Sequence, residues 1–223
     1  MQSALGDRVT CNSCFYYYIS VGKKGMARLF RALSSSVRAA AQVHAASVGR
    51  VELICGPMFA GKSTELLRRL RRHDLAGKKC LVVKHALDDR YDDGANDIVT
   101  HDQARESAVA VGTLVGMNLD GFDVVGVDEA QFFDADDIAQ FCGDAAARGV
   151  DVVVAGLDGD YRQRPFAAIS QLLPVVDTVS RLSAVCAICG SDAHFSCRTV
   201  ASDDGILVGG AEAYRASCRG CLA

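Results

Sequence analysis

Tryptophan is absent from this 223-residue chain, and so is any run of the roughly 18 uninterrupted apolar residues that a membrane-spanning helix needs. The first absence decides nothing; the second argues against a membrane span. No secretory hydrophobic region precedes the main pattern of the chain, so a reducing compartment and metal binding account for the ten cysteines better than disulfides do. Positive charge is also scarce, though only from residue 50 onward. Residues 1–49 hold six Lys/Arg and a single acid, Asp7; removing these from totals of 24 and 27 leaves 18 basic and 26 acidic residues, a net charge of −8. So acidic a body is ill suited to gripping nucleic acid through its phosphates, which takes a basic face. A small anion can still be held by a few local amides and cations. The length allows one ordinary domain with a small appendage, and half the residues are hydrophobic, enough for a packed core.

The first 49 residues differ from the rest. Met26, Leu29, Phe30, Leu33 and Val37 share one side of a helical wheel, with Arg28, Arg31 and Arg38 opposite. A basic, Ser/Ala-rich segment of this kind reads either as an organellar transit segment or as a disordered tail, in both cases outside the main fold. Cys11 and Cys14 form a C-x-x-C pair there with no second half.

From residue 50 strand-like and helix-like pieces alternate. VELIC (51–55) reads as a buried strand, followed by a Gly-rich turn and a helix from about Lys62. That helix points Leu66, Leu67 and Leu70 inward and Arg68, Arg69, Arg71 and Arg72 outward, which reads as a solvated face before it reads as a nucleic-acid patch. KCLVVK (79–84), FDVVGVD (122–128) and VDVVVAGL (150–157) supply further strands, with a helix over about 134–148. Apolar runs separated by helical stretches predict an α/β fold with a mostly parallel sheet flanked by helices.

Gly56-Pro57-Met58-Phe59-Ala60-Gly61-Lys62-Ser63 fits G-x-x-x-x-G-K-[ST] at every fixed position, between a predicted strand and a predicted helix. Glycines let backbone amides wrap phosphate oxygens, and the helix N-terminus adds its positive dipole end. Lys62 is then placed to neutralise phosphate charge and Ser63 to offer a hydroxyl to Mg²⁺. The strand ending in Asp128-Glu129 supplies an acid for the metal and a second acid to accept a proton; alone, the pair reads equally well as a helix N-cap. Near the C-terminus, Cys186-x-x-Cys189 and Cys218-x-x-Cys221, 28 residues apart, offer four soft ligands for a closed, structural Zn²⁺ site. Cys55, Cys80, Cys142 and Cys197 read as inert packing residues.

GPMFAGKSTELL, DEAQFF, LDGDYRQRPF, the two C-x-x-C pairs and GGAEAY, in that order and spacing, resemble the tetrameric, zinc-containing class of thymidine kinases over residues 50–221. The resemblance implies a P-loop ATP-binding α/β domain over 50–182. A small zinc lobe over 183–223 would carry a long loop that covers the nucleoside. It implies transfer of the ATP γ-phosphate to the 5′-hydroxyl of thymidine and of deoxyuridine, in salvage and DNA precursor synthesis. Contacts to ATP and Mg²⁺ would come from Gly56, Pro57, Met58, Phe59, Ala60, Gly61, Lys62, Ser63, Thr64, Asp88, Asp128 and Gln131. Glu129 would be the general base, and Arg90 would stabilise charge developing in transfer. Met58, Phe132, Leu157, Tyr161, Ser196, Val208, Gly209 and Tyr214 would enclose the nucleoside, Ser196 standing where the family often has Thr. Cys221 replaces a His found in some members. His194 is read as a surface residue, the four cysteines being sufficient. The resemblance further implies a homotetramer, feedback inhibition by dTTP, and no nucleic-acid or membrane partner. The location would be cytoplasmic, or mitochondrial or plastid if the leader is a transit segment.

Two other classes compete. A nucleic-acid-dependent ATPase shares a phosphate loop and D-E-A-Q, but the acidic body and short chain oppose it. A zinc-ribbon interaction module with a vestigial nucleotide site is opposed by the intact Lys62, Ser63, Asp128 and Glu129.

Overall fold

The computed structural model describes residues 48–87, 97–99, 105–200 and 210–222, all within one unit, Ser47–Ala223. Its centre is a six-stranded sheet built from β1 (Val51–Gly56), β2 (Cys80–His85), β5 (Val109–Val111), β6 (Val124–Asp128), β7 (Asp151–Leu157) and β8 (Thr178–Arg181). The spatial order is β5-β2-β6-β7-β1-β8, and every pairing is parallel. Between β2 and β5 in sequence, β3 (Asp97–Val99) and β4 (Arg105–Ser107) pair antiparallel with each other.

The central strands are apolar at nearly every position because both of their faces are covered. On one face Leu53, Val125, Val127, Val152 and Val154 pack with Ile138, Phe141 and Cys142 of α2 (Ala135–Ala147) and with Ile169 and Leu172 of α3 (Ala167–Leu172). On the other, Ile54, Val124, Val153 and Ala155 meet Leu66, Leu67 and Leu70 of α1 (Lys62–Leu75). Alternation along each strand therefore splits one apolar run into two cores.

Most predicted boundaries move by one or two residues for local reasons. Asp134 is the N-cap of α2, its carboxylate accepting from the amides of Asp136 and Asp137, so the helix proper starts at Ala135. Asp123 lies in a turn before β6, where its carboxylate accepts from the Lys79 amide at 2.9 Å. Arg69 departs from the outward, solvated reading. It donates to Glu65, to Glu52 at 2.7 Å and to the Ser180 hydroxyl at 2.8 Å, tying α1 to the sheet. Arg68 and Arg72 are exposed as expected.

After β8 the chain forms two small antiparallel pairs. One joins β9 (Ala184–Val185) to β10 (Asp192–Ala193), the other β11 (Phe195–Arg198) to β12 (Tyr214–Ser217). The hydrophobic cluster between them is small: Ala184, Cys186, Ala193 and Ala216. Among the described residues no helix is long and apolar enough to cross a membrane.

Gly56 closes β1 at φ 143°, and a Cβ there would lie 2.5 Å from the backbone oxygen of Leu182. Gly56→Ala is therefore expected to cost about 2–3 kcal/mol, from strain plus a forced backbone shift. The measurement is the urea midpoint at constant m-value; an unchanged midpoint would mean that the loop accommodates a side chain.

Candidate active site

The carboxyl ends of β1, β6 and β7 come together, as expected for a ligand crevice in an open parallel sheet. β1 runs into the loop Pro57–Gly61, and Gly61 starts α1 as its N-cap in the left-handed region, φ 76°, with no side-chain cap. A glycine tolerates that conformation, and the uncapped helix start is suited to an anion. Phe59 also has positive φ, 65°. The Lys62 ammonium donates to the Pro57 carbonyl oxygen at 2.7 Å, folding back across the loop. Thr64, next in the helix, is exposed.

One strand separates β1 from β6. Asp128, the last residue of β6, is only 5% exposed. Burial pushes its carboxyl up to about 7, and the Glu129 charge adds to this; the Ser63 hydroxyl, the Glu129 amide and Lys62 act in the opposite direction. The buried Asp128 and the Ser63 hydroxyl at the foot of the loop form a hard-oxygen donor set that fits magnesium. Glu129 occupies the left-handed region, φ 51° and ψ 41°, and its amide donates to Asp128 Oδ1 at 3.0 Å. It precedes the 3₁₀ turn Ala130–Phe132 without a side-chain cap, and α2 is capped by Asp134 instead, so the N-cap reading of the acid pair does not describe this protein. Gln131, on the turn, is buried: its amide nitrogen donates to Glu129 Oε2 and its oxygen accepts from the Leu157 amide at 2.9 Å.

The residues expected around a nucleoside fall into linked groups. The Met58 amide donates to the hydroxyl of buried Ser196 at 2.9 Å, across 138 residues of sequence. Tyr161 and buried Tyr214 are joined through Arg198. Its guanidinium carbon lies 4.0 Å from the Tyr161 ring centroid and 5.6 Å from that of Tyr214, and its Nη2 donates to the Tyr214 hydroxyl at 3.1 Å. Phe132 lies near His85, ring centroids 6.0 Å apart, while Phe133 meets His85 edge-on at 4.6 Å. Burial holds His85 below the usual histidine range, with a weaker opposing bond from the Gly112 backbone. Asp88, Arg90, Val208 and Gly209 lie outside the described residues, as do Cys11 and Cys14.

Arg198 and Gln131 carry contacts that the sequence reading did not assign. For Arg198 a signal existed: two positions after Ser196 on β11, it shares that residue's face of the strand. For the Gln131 bridge there was none. Arg181, which donates to Asp158 at 2.7 Å, was likewise unforeseen.

The four cysteines Cys186, Cys189, Cys218 and Cys221 bring their sulfurs within 4.8 Å of one another, Cys189 and Cys218 being 3.6 Å apart. A tetrahedral Zn²⁺ with Zn–S of about 2.3 Å sets S···S edges near 3.8 Å, so the cluster fits that ion. Backbone amides of Cys218, Cys189 and Ile188 draw the Cys186 thiol down to about 6. The thiols of Cys218 and Cys189 push Cys221 up to about 12. Without a cation these sulfurs cannot all carry charge together. His194 is exposed, as expected. Cys142 is buried with its thiol pushed up to about 12 by desolvation, and Cys55 is buried too, which fits an inert packing role for both.

The thymidine kinase family model matches residues 49–222. The chain belongs to the thymidine kinase family. Thymidine kinase 1 of Dictyostelium discoideum is 42% identical over 177 residues, covering 78% of this chain and 77% of that protein. The raccoon poxvirus thymidine kinase is 42% identical over 175 residues, 78% of this chain and 96% of the viral protein. The human cytosolic thymidine kinase is also 42% identical over 175 residues, 78% of this chain and 73% of its own length. Thymidine kinase membership accords with the α/β fold, the phosphate loop and the cysteine cluster described above.

Proposed function

We propose that the protein transfers the γ-phosphate of ATP to the 5′-hydroxyl of thymidine, and also of deoxyuridine, in pyrimidine deoxynucleotide salvage. The observation that carries this reading is the convergence of two segments distant in sequence: Lys62 and Ser63 at the start of α1, and the consecutive acids Asp128 and Glu129 at and just past the end of β6, with the Ser63 hydroxyl acting on buried Asp128. Family membership supports the choice of substrates.

In this reading Gly56 to Thr64 bind the ATP phosphates through amides and the helix start, and Lys62 offsets charge on the β- and γ-phosphates. Ser63 and Asp128 would hold magnesium, which when bound shields the phosphate oxygens from mutual repulsion. Glu129 accepts the proton of the 5′-hydroxyl as the oxygen attacks, and Arg90 and Asp88 act near the phosphates. Met58, Phe132, Leu157, Tyr161, Ser196, Val208, Gly209 and Tyr214 enclose the nucleoside and exclude water that would hydrolyse ATP. Positioning and electrostatics carry nearly all the acceleration. Cys186, Cys189, Cys218 and Cys221 would hold Zn²⁺ as a structural ion of the lobe over 183–223.

Homotetrameric assembly and inhibition by dTTP belong to the same proposal and rest on the family alone. The family match beginning at residue 49 supports reading 1–49 as a leader outside the 50–182 ATP-binding domain, addressing an organelle by its basic amphipathic pattern.

The test is labelled phosphate transfer from ATP to thymidine by the full chain, with Glu129→Gln alongside. Product dTMP is expected, falling by about 10²–10⁴-fold in the variant as a lost general base predicts. Folded, zinc-loaded protein that phosphorylates deoxycytidine but not thymidine, or hydrolyses ATP only when DNA is added, would overturn the reading.

A further inference from the structure

We infer that Gln131 is a positioning residue for Glu129, orienting its carboxylate from the end of β7, and not primarily a contact to ATP or its metal. The inference rests on the base role proposed for Glu129.

Glu129 stands just past β6 in the left-handed region, on a turn closed by the Phe132 amide donating to the Glu129 carbonyl oxygen at 3.1 Å. Its backbone alone leaves the side-chain torsions open, and Gln131, two residues on and 7% exposed, supplies a constraint on one carboxylate oxygen. The orientation of the Gln131 amide follows from hydrogen-bond logic. The Leu157 N–H, 2.9 Å away, can meet only an acceptor, so the amide oxygen must face it. The amide nitrogen is thereby turned towards Glu129 Oε2, to which it donates. A Cβ on Gly156 would lie 3.1 Å from the Gln131 oxygen and 2.7 Å from Ile169 Cδ1, so the absent side chain at Gly156 leaves the room in which the amide sits. Leu157 closes β7 at the proposed nucleoside pocket. Gln131 therefore links the strand end beneath the nucleoside to the carboxylate that takes its proton.

The test is a double-mutant cycle with steady-state and single-turnover kinetics on the full chain, using Gln131→Met, Gln131→Glu, Glu129→Gln and the combination Glu129→Gln/Gln131→Met. Gln131→Met removes both hydrogen bonds at similar length. Gln131→Glu keeps an acceptor for Leu157 but sets a like charge against Glu129. Each is expected to lower kcat by about 10²-fold, the scale of an ångström-sized misplacement of a reacting group, with KM for ATP and thymidine within about twofold. In the Glu129→Gln background, Gln131→Met should add no further loss, because there is no carboxylate left to position. A rise in KM for ATP with unchanged kcat would assign Gln131 to the nucleotide and overturn the inference. Additive losses would reduce Gln131 to a structural role and overturn it equally. Should Gln131→Met fail to fold, the same cycle with Gln131→Glu decides. Unchanged kcat in Glu129→Gln alone would be the distinct signature of failure of the base assignment itself.

Discussion

Replacing Cys186 by serine is expected to weaken ATP binding on the order of 10²-fold, although the sulfur cluster is assigned no contact with the nucleotide. The physical reason lies in how little else holds the C-terminal lobe. Its strands are two to four residues long, and the hydrophobic cluster of its described residues is three alanines and Cys186. Two-stranded pairs of this size are marginal alone, whereas a structural zinc site supplies about 10 kcal/mol or more. The lobe in turn supports the phosphate loop. Phe59 and Ala60 pack against its core, and the Met58 amide donates to Ser196. Losing one such hydrogen bond and the burial of one aromatic ring removes about 2–3 kcal/mol of loop ordering, which is the stated factor in affinity. The six-stranded sheet should survive, since its two cores are separate from the lobe. The measurement is titration with a fluorescent ATP analogue, with metal content determined on the same sample and far-UV circular dichroism reporting the sheet. Unchanged ATP affinity in protein shown to have lost its metal would sink the idea.

That coupling also marks the boundary of what could be read in the chain. β1, β2, β6 and β7 are evident in sequence because burial on both faces forces continuous apolar runs, and the phosphate loop is evident because its eight residues are contiguous. The cysteine cluster is visible from spacing alone, since two pairs of thiolates, each pair separated by two residues, suit one tetrahedral metal. β8 was not: Thr178, Val179 and Arg181 are exposed, and only pairing with β1 makes this segment a strand. The six residues of α3 are too few to display a period.

Side-chain partners far apart in sequence were hidden altogether. Arg69 shares its helix with exposed arginines and carries no local sign of burial; what captures it includes Ser180, 111 residues away. Ser196 could be matched to a nucleoside position by resemblance, yet nothing local announces that its hydroxyl also accepts from Met58. Family resemblance likewise grouped Gln131 with the nucleotide contacts, while its amide is engaged with Glu129 and Leu157. Periodicity reports which face a residue occupies, not which distant group will meet it there.

Asp128→Asn is expected to abolish phosphate transfer and, in protein free of nucleotide and magnesium, to make the fold more stable at pH 8. The native carboxyl is pushed up to about 7 from 3.8, chiefly by burial, so the folded protein holds its proton more tightly than the unfolded chain does. The contribution of Asp128 to stability is therefore fully present below about 3.8 and is lost progressively as pH rises towards 7, remaining absent above. A difference of roughly three units corresponds to about 4 kcal/mol at most. Asparagine escapes this loss at every pH, but one of its buried amide hydrogens will lack an acceptor, at a cost of about 1–3 kcal/mol. A net gain near 2 kcal/mol remains, or about 4–8 °C in Tm for a chain of this size. The comparison must be made as a difference between wild type and variant across pH 4–8. His85, held low by burial, contributes with the opposite sign as pH falls below 6.5, and Glu65, held down to about 2 by Arg68 and Arg69, begins to lose its contribution as pH falls below about 4.5. Both cancel in the difference. Added magnesium and ATP should reverse the order, because only the aspartate gains a cation beside its charge. A variant less stable than wild type at pH 8, or a difference that does not grow between pH 4 and 7, would show that Asp128 is not held under strain. An acid kept buried at a cost to the fold, and relieved when its cation arrives, is a trade of stability for chemistry.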